Sequence, residues 1–125
     1  MIERSLGENV SLFQKYAKHF FEIKSIKVRS NDFQIIDKSD KLFQDNFNIT
    51  YNMILTNDEI DLMKLYFQQR HVLEHNDGIV DQEYLDKTND TTYKLSQRLV
   101  IKVKDVILLS DIINKLCNGL KDNIT

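Results

Sequence analysis

The sequence contains no proline and only three glycines, at positions 7, 78 and 119. Because proline and glycine most often interrupt regular elements, a chain this poor in both predicts helices joined by short polar links rather than an all-β fold. It also has no internal repeat, low-complexity tract or linker. Its 125 residues therefore indicate a single domain that spans residues 1–125.

Cysteine is also scarce, and Cys117 is the only one in the chain. A single thiol excludes an internal disulfide bond, and its place in an apolar helical pattern indicates a core residue in a reducing compartment. The sequence has no apolar run near the roughly 20 residues of a membrane span, and no signal-peptide pattern follows Met1. We therefore expect a cytoplasmic protein without a membrane segment.

Neither charge is in large excess, since 17 basic and 19 acidic residues give a net charge of −2. This balance argues against tight, non-specific binding of nucleic acid through a global positive field. Residues 1–30 nevertheless carry six basic and three acidic side chains. A nucleic-acid site would therefore be a local patch, which suits a small catalytic contact with RNA.

The spacing of apolar residues predicts an all-α bundle of four to five helices. The predicted helices cover about 6–24, 31–46, 57–75 and 106–120, with a loop over 46–51, one helical turn over 81–87 and a short extended segment near 98–103. Two capping boxes, Ser5 with Glu8 and Thr56 with Glu59, mark the starts of the first and third helices. Gly78 is placed to end the third helix in a left-handed conformation.

The end of the third predicted helix concentrates the residues that are best suited to chemistry. Arg70, His71, Glu74 and His75 fall within six residues, beside the turn at Gly78. Arginine offers a permanent cation whose donors fit phosphate, and histidine exchanges protons near neutral pH. The cluster therefore suits the cleavage of a phosphodiester, although two other interpretations remain open.

One of these interpretations is purely structural, because basic side chains often interact with the last carbonyls and the dipole of a helix. The other is a zinc site. His71, Glu74 and His75 match H-x-x-E-H, in which two histidines hold zinc and the glutamate acts as base. A third ligand would then have to come from another element, and Glu83 and Asp105 are the candidates.

The phosphodiester interpretation pairs Arg70 with His75 as an R-x4-H motif. Five helical steps of about 100° place the two side chains roughly 140° apart on an ideal helix. They converge only if the helix frays before His75, or if two copies bring two such pairs together. The second route requires a dimer.

These residues resemble the HEPN superfamily of prokaryotic defence and toxin proteins. The resemblance is strong over 56–88 and weaker over 94–117, and it is carried by Arg70-His71-x-x-x-His75-x-x-Gly78-x-x-Asp81-x-x-Tyr84-Leu85. It implies a HEPN-type helical bundle that dimerises through its motif helices and places both motifs in one cleft. Some members carry a tyrosine two residues after the histidine, where this chain has Asp77, which argues against a partner that modifies that tyrosine.

The resemblance further implies a metal-independent endoribonuclease that needs no cofactor. Such a protein would act on RNA as a defence, abortive-infection or toxin effector, with an antitoxin or another defence component as partner. By position, Arg70 and His75 are the catalytic pair, and His71 is the polar residue that supports the arginine. Some relatives have lost activity, so the alternative is a non-catalytic HEPN module that binds RNA, a nucleotide or a protein partner.

Other polar residues near the motif are candidates for supporting roles. Glu74 either pairs with Arg70, four residues earlier, or lies in solvent. Asn76 is expected to cap the turn, and Asp81 to fasten the loop after Gly78 or to hydrogen-bond into the motif. An RNA backbone needs cations around the cleft, and the candidates are Lys64, Arg98, Lys102 and Lys104.

Overall fold

The structure, a computed structural model, describes residues 2–124 as a bundle of five α-helices. The helices are α1 (Ile2–Ile23), α2 (Ile36–Phe47), α3 (Asn57–His75), α4 (Gln82–Thr88) and α5 (Val103–Ile124). Two short 3-10 turns, Ser30–Phe33 and Tyr51–Met53, precede and follow α2. Within residues 2–124 there is no β-strand. The predicted all-α fold of four to five helices is confirmed.

The helix boundaries show where local sequence signals were sufficient. α3 spans the predicted residues, and its capping box is present: the Glu59 amide donates to Thr56 Oγ1 at 3.2 Å, and the Thr56 amide donates to Glu59 Oε1 at 2.9 Å. The capping box predicted at Ser5 is wrong, because α1 is already helical from Ile2. Ser5 therefore lies inside the helix. The residue that follows it, Leu6, is fully buried in the core.

The helix predicted over 31–46 is interrupted in the structure. Asp32 accepts a hydrogen bond from the Arg29 amide at 2.9 Å and pairs with Lys38 at 2.9 Å, which holds residues 30–33 in a 3-10 turn. A local carboxylate of this kind competes with the hydrogen bonds of an α-helix. α2 therefore begins only at Ile36, and it ends at Phe47, inside the predicted loop.

The segment near 98–103 is extended as predicted, but it pairs with the rest of the chain at only one place. Ile79 and Arg98 form a single antiparallel bridge, and the Leu99 amide donates to Gly78 O at 2.8 Å. α5 then begins at Val103, three residues before the predicted start, and the Asp105 carboxylate accepts from the Lys102 amide at 2.9 Å. The single turn predicted over 81–87 is the seven-residue helix α4.

The core between α1 and α2 is aromatic. Phe43 is fully buried, and its ring centroid lies 5.0 Å from that of Phe21 and 5.8 Å from those of Phe47 and Tyr51. Tyr51 is also fully buried, and its hydroxyl lies 2.7 Å from Ser39 Oγ, which satisfies both polar groups. Burial raises the pKa of the Tyr51 hydroxyl, so it remains protonated.

α3 occupies the centre of the bundle, in contact with all four other helices. Its middle is buried, and the Tyr66 hydroxyl donates to Asp105 Oδ1 at 3.0 Å, which ties α3 to the start of α5. Its first turns carry exposed residues, and so do its last turns, where His71, Glu74 and His75 are exposed. The motif residues therefore lie at one exposed end of a helix whose middle is buried. None of the helices described here has the length and apolar character needed to cross a membrane.

Candidate functional site

Arg70 lies in the wall of an open groove of about 740 Å³ between α1 and the end of α3. The Arg70 side chain is only 12% exposed, and Leu12 and Leu73 supply apolar walls. The charged lining residues are Glu3, Arg4, Glu8, Lys15, Arg70, Glu74, Asp77 and Arg98. Four of them are basic and four acidic, so the groove carries cations from three parts of the chain but no net charge.

The Arg70 guanidinium is paired with Glu74 in an imperfect geometry. Arg70 Nε lies 3.0 Å from Glu74 Oε1, yet its N–H does not point at that oxygen. Among the described residues, Nε is therefore a buried donor without a hydrogen bond. A buried donor left in this way typically costs about 1–3 kcal/mol. Arg70 is thus held near Glu74 by charge while one of its donors is left unsatisfied.

His75 lies on the other side of the same carboxylate. Its Nε2 atom is 3.9 Å from Glu74 Oε2, and its side chain is 63% exposed. The His75 ring also packs against the His71 ring, with centroids 4.6 Å apart. Because α3 remains helical through His75, the helix does not fray to bring this residue to Arg70. A single chain therefore leaves the Glu74 carboxylate between the two predicted catalytic residues.

His71 is directed away from the groove and toward α4. It does not line the groove, and its charge contributes to lowering the pKa of Glu83, after the larger effect of the hydrogen bond from Lys87. Within the described residues it makes no hydrogen bond with Arg70 and no ion pair with Glu74. Its contact with the motif is through the ring of His75.

The turn after α3 is fixed by backbone geometry. Asn76 Nδ2 donates to Ile79 O at 2.7 Å, so Asn76 caps the turn, and Asp77 and Gly78 follow with φ of 53° and 76°. A Cβ atom at Gly78 would lie 3.1 Å from Arg98 Nη1 and 3.2 Å from Leu73 Cδ2. Gly78 is therefore required both for its left-handed conformation and for the close approach of Arg98.

Asp81 and Tyr84 fasten α4 beside the motif. Asp81 Oδ1 accepts from the Tyr84 amide at 2.9 Å and so caps the start of α4. The Tyr84 hydroxyl donates to Asp90 Oδ2 at 2.6 Å and accepts from Gln69 Nε2 at 3.2 Å. Burial, together with the Asp90 carboxylate, raises the pKa of Tyr84. Because Gln69 precedes Arg70, its hydrogen bond with Tyr84 ties α4 to α3 one residue before the motif. The direct role of Asp81 is to cap α4.

The four predicted phosphate-binding residues do not lie together. Arg98 lines the Arg70 groove, with Nη2 3.2 Å from Glu3 Oε1 and Nη1 donating to Asp77 O. Lys64 lies in a separate groove and pairs with Asp37 at 2.8 Å. Lys102 and Lys104 are exposed near the start of α5 and do not line the Arg70 groove.

Two cations of the groove were missed by sequence reasoning. Arg4 and Lys15 both come from α1, and they reach the site because α1 packs against α3. Arg4 pairs with Glu8 at 3.1 Å. The only signal in the sequence was the excess of basic residues over positions 1–30.

The H-x-x-E-H interpretation finds no third ligand. In residues 2–124, no three His, Cys, Asp or Glu side chains are grouped closely enough to hold a metal ion. Glu83 accepts from Lys87 Nζ at 2.9 Å. Both carboxylate oxygens of Asp105 are engaged, by the Tyr66 hydroxyl and the Lys102 amide.

The chain gives no significant match to known protein-family models, curated proteins or solved structures. These comparisons do not test the resemblance to HEPN proteins expected from the motif residues. What the site can do chemically has to follow from the arrangement of Arg70, Glu74 and His75.

Proposed function

We propose that this protein is a metal-independent endoribonuclease of the HEPN type, which cleaves RNA as a homodimer in the cytoplasm. The observation that carries the proposal is the placement of Arg70 and the exposed His75 imidazole on either side of the Glu74 carboxylate, with Arg70 in the wall of the groove and His75 outside its lining. The incompletely hydrogen-bonded guanidinium of Arg70 lines a groove of about 740 Å³, and His75 follows on the same helix end. Pockets for small organic ligands usually measure about 300–1,000 Å³, and the groove falls within that range. The biological role that accompanies this activity is that of a defence, abortive-infection or toxin effector, with an antitoxin or another defence component as partner.

The proposed reaction uses a nucleophile that RNA already contains. His75 takes the proton of a ribose 2′-hydroxyl, whose oxygen attacks the adjacent phosphorus and forms a 2′,3′-cyclic phosphate. The bond to the 5′-oxygen breaks, and His75 of the second copy protonates that leaving oxygen. Arg70 binds the non-bridging oxygens and stabilises the negative charge of the transition state. DNA lacks the 2′-hydroxyl and is not cleaved.

In this mechanism Glu74 exchanges partners when the substrate binds. The Arg70–Glu74 pair leaves the buried Nε donor without a hydrogen bond, so it is weaker than a well-aligned charge-assisted contact. Hydrogen bonds to charged groups contribute about 1.5–3 kcal/mol, and a phosphate can engage the guanidinium with two parallel bonds. The phosphate therefore displaces Glu74 from Arg70. Its carboxylate, 3.9 Å from His75 Nε2, is then placed to stabilise the protonated imidazole.

The homodimer follows from the separation of the two residues in one chain. Glu74 lies between Arg70 and His75, so one chain does not bring the two residues together. A second copy would therefore supply the His75 that protonates the leaving group.

A non-catalytic module that binds RNA, a nucleotide or a protein partner is the second candidate. It is favoured by the electroneutrality of the groove, where each arginine has a carboxylate: Arg4 with Glu8, Arg70 with Glu74 and Arg98 with Glu3. Such a groove would bind a ligand by exchange of ion pairs without any reaction at His75.

The test compares the unaltered protein with an Arg70→Ala/His75→Ala variant on mixed RNA in the presence of a chelator. We expect new ends with 2′,3′-cyclic phosphate from the unaltered protein alone, and no cleavage of DNA of the same sequence. RNA that is bound but never cleaved would support the non-catalytic module. Equal cleavage by both proteins would contradict the proposed site.

A further inference from the structure

The outer face that α1 and α5 share carries exposed apolar residues. Leu12 is 63% exposed, Ile107 is 55% exposed and Tyr16 is 36% exposed. The two helices run in the same direction, since Ser5–Leu12 lie against Val106–Asp111, and Asn9–Tyr16 against Ser110–Asn118. Two shallow furrows, of about 350 and 330 Å³, lie between the helices on this face.

Within residues 2–124, one of the two furrows is also free of charge, whereas Glu8 and Asp111 line the other. In the part of the chain that the structure describes, no charged side chain lines the 350 Å³ furrow, although 29% of all residues are charged. The polar residues around it are instead small and neutral, namely Asn9, Ser110, Asn114 and Asn118. Depletion of charge together with an exposed tyrosine is typical of the centre of a protein–protein interface.

We propose that a second copy of this chain docks on the α1–α5 face, defined by Leu12, Tyr16, Ile107 and Asn114, with the twofold axis close to Leu12. The inference rests on the proposed function, because it identifies the surface by which the homodimer forms. It differs from the expected contact along the motif helices, because it uses α1 and α5, whereas α3 lies at the centre of the bundle in contact with all four other helices.

The charges beside Leu12 are complementary to themselves. Glu8 precedes Leu12 by four residues and Lys15 follows it by three, and both line the Arg70 groove. When two α1 helices cross antiparallel near Leu12, Glu8 of each copy faces Lys15 of the other. Among the described residues Lys15 has no ion pair, and the Arg4 contact of Glu8 is exposed on both sides. In the symmetric dimer, Lys15 of each copy therefore gains Glu8 of the other copy as an ion-pair partner.

The same face adjoins the candidate active site. Leu12 lines the Arg70 groove as well as both furrows. A twofold axis at Leu12 therefore places the grooves of the two copies next to each other, as a composite site requires. A dimer of ordinary size buries about 800 Å² on each partner, which is about a tenth of the 7625 Å² surface of this chain. Two 22-residue helices, each about 33 Å long, supply a face of that scale.

The first test measures the oligomeric state by sedimentation velocity over a range of concentrations. We expect a dimer that Leu12→Lys dissociates, with at least a tenfold rise in the dimer Kd. Ile35→Lys is the matched control, because Ile35 is 52% exposed and lines the separate groove that contains Lys64, away from the α1–α5 face. It should dimerise like the unaltered protein. Circular dichroism checks that each variant is folded, and Leu12→Ser repeats the test without added charge.

The second test uses charge reversal to identify the partner as another copy. Glu8→Lys and Lys15→Glu should each weaken the dimer, because each places like charges opposite one another. The double variant Glu8→Lys/Lys15→Glu should restore it, since the pairs are reversed but remain complementary. Restoration is not expected if the partner is a different protein.

RNA cleavage measured on the same samples separates this inference from the proposed function. A Leu12-dependent dimer without ribonuclease activity would support the α1–α5 face and contradict the ribonuclease. A monomeric unaltered protein, or a Leu12→Lys variant that dimerises normally, would overturn the inference whether or not RNA is cleaved. Heteromeric assembly alone, with another protein on this face, would overturn it as well.

Discussion

Replacing His75 by alanine removes both the base and the acid of the dimer, so it is expected to lower kcat for RNA cleavage by at least about 10²–10⁴-fold, the usual contribution of one positioned acid–base group. Arg70→Ala is expected to lower kcat by about 10²–10³-fold, as removal of a single stabilising donor typically does. The two substitutions differ in their effect on binding, because Arg70 contacts the phosphate in the ground state too. KM should therefore rise for Arg70→Ala and change little for His75→Ala.

Two controls make this result specific. Arg29→Ala removes an arginine whose side chain is 81% exposed and lies outside the groove, so its activity should stay within about twofold of the unaltered protein. Added imidazole should restore part of the activity of His75→Ala, because the free base can accept the proton that the His75 side chain would have taken. Full activity of the alanine variant without imidazole would exclude His75 as the base.

The largest effect on stability is expected from Phe43→Ala. Its fully buried ring lies within 6.3 Å, centroid to centroid, of those of Phe20, Phe21, Phe33, Phe47 and Tyr51. Removing a buried phenylalanine ring usually costs about 3–5 kcal/mol, because apolar burial is lost and a cavity remains. Urea denaturation should show this loss as a lower midpoint.

Met53→Ala is the control for this prediction, because the Met53 side chain is 61% exposed. Its free energy of unfolding should change by no more than about 0.5 kcal/mol. A loss under about 1.5 kcal/mol for Phe43→Ala would mean that the aromatic cluster relaxes around the gap and does not hold α1 against α2 as described.

α3 illustrates what the sequence could predict. A capping box at Thr56 and a glycine at 78 are local signals, and the helix between them has the predicted bounds. The Ser5–Glu8 pattern shows the limit of such signals, because the same residues can occur inside a helix that continues for tertiary reasons. Asp32 shows another limit, since one side-chain hydrogen bond to the backbone delays α2.

Some contacts of the candidate site could likewise be predicted from the sequence, and others depend on tertiary packing. The Arg70–Glu74 pair follows from helical spacing alone, and the structure contains it. Helical spacing could also have predicted that Lys64 lies outside the Arg70 groove, because six helical steps place the two side chains about 120° apart. Arg4, Lys15 and Arg98 join Arg70 only through the packing of distant segments. No local sequence pattern could reveal that these residues line the same groove.

The most direct test of the account mixes the unaltered protein with an excess of the His75→Ala variant. The two proteins are allowed to exchange subunits, and RNA cleavage is compared with that of the same amount of unaltered protein alone. A mixed dimer holds only one His75, whereas the proposed reaction needs one as base and a second as acid, so the account predicts that activity falls as unaltered protein is drawn into mixed dimers. Activity that stays proportional to the amount of unaltered protein would contradict a site shared between two copies.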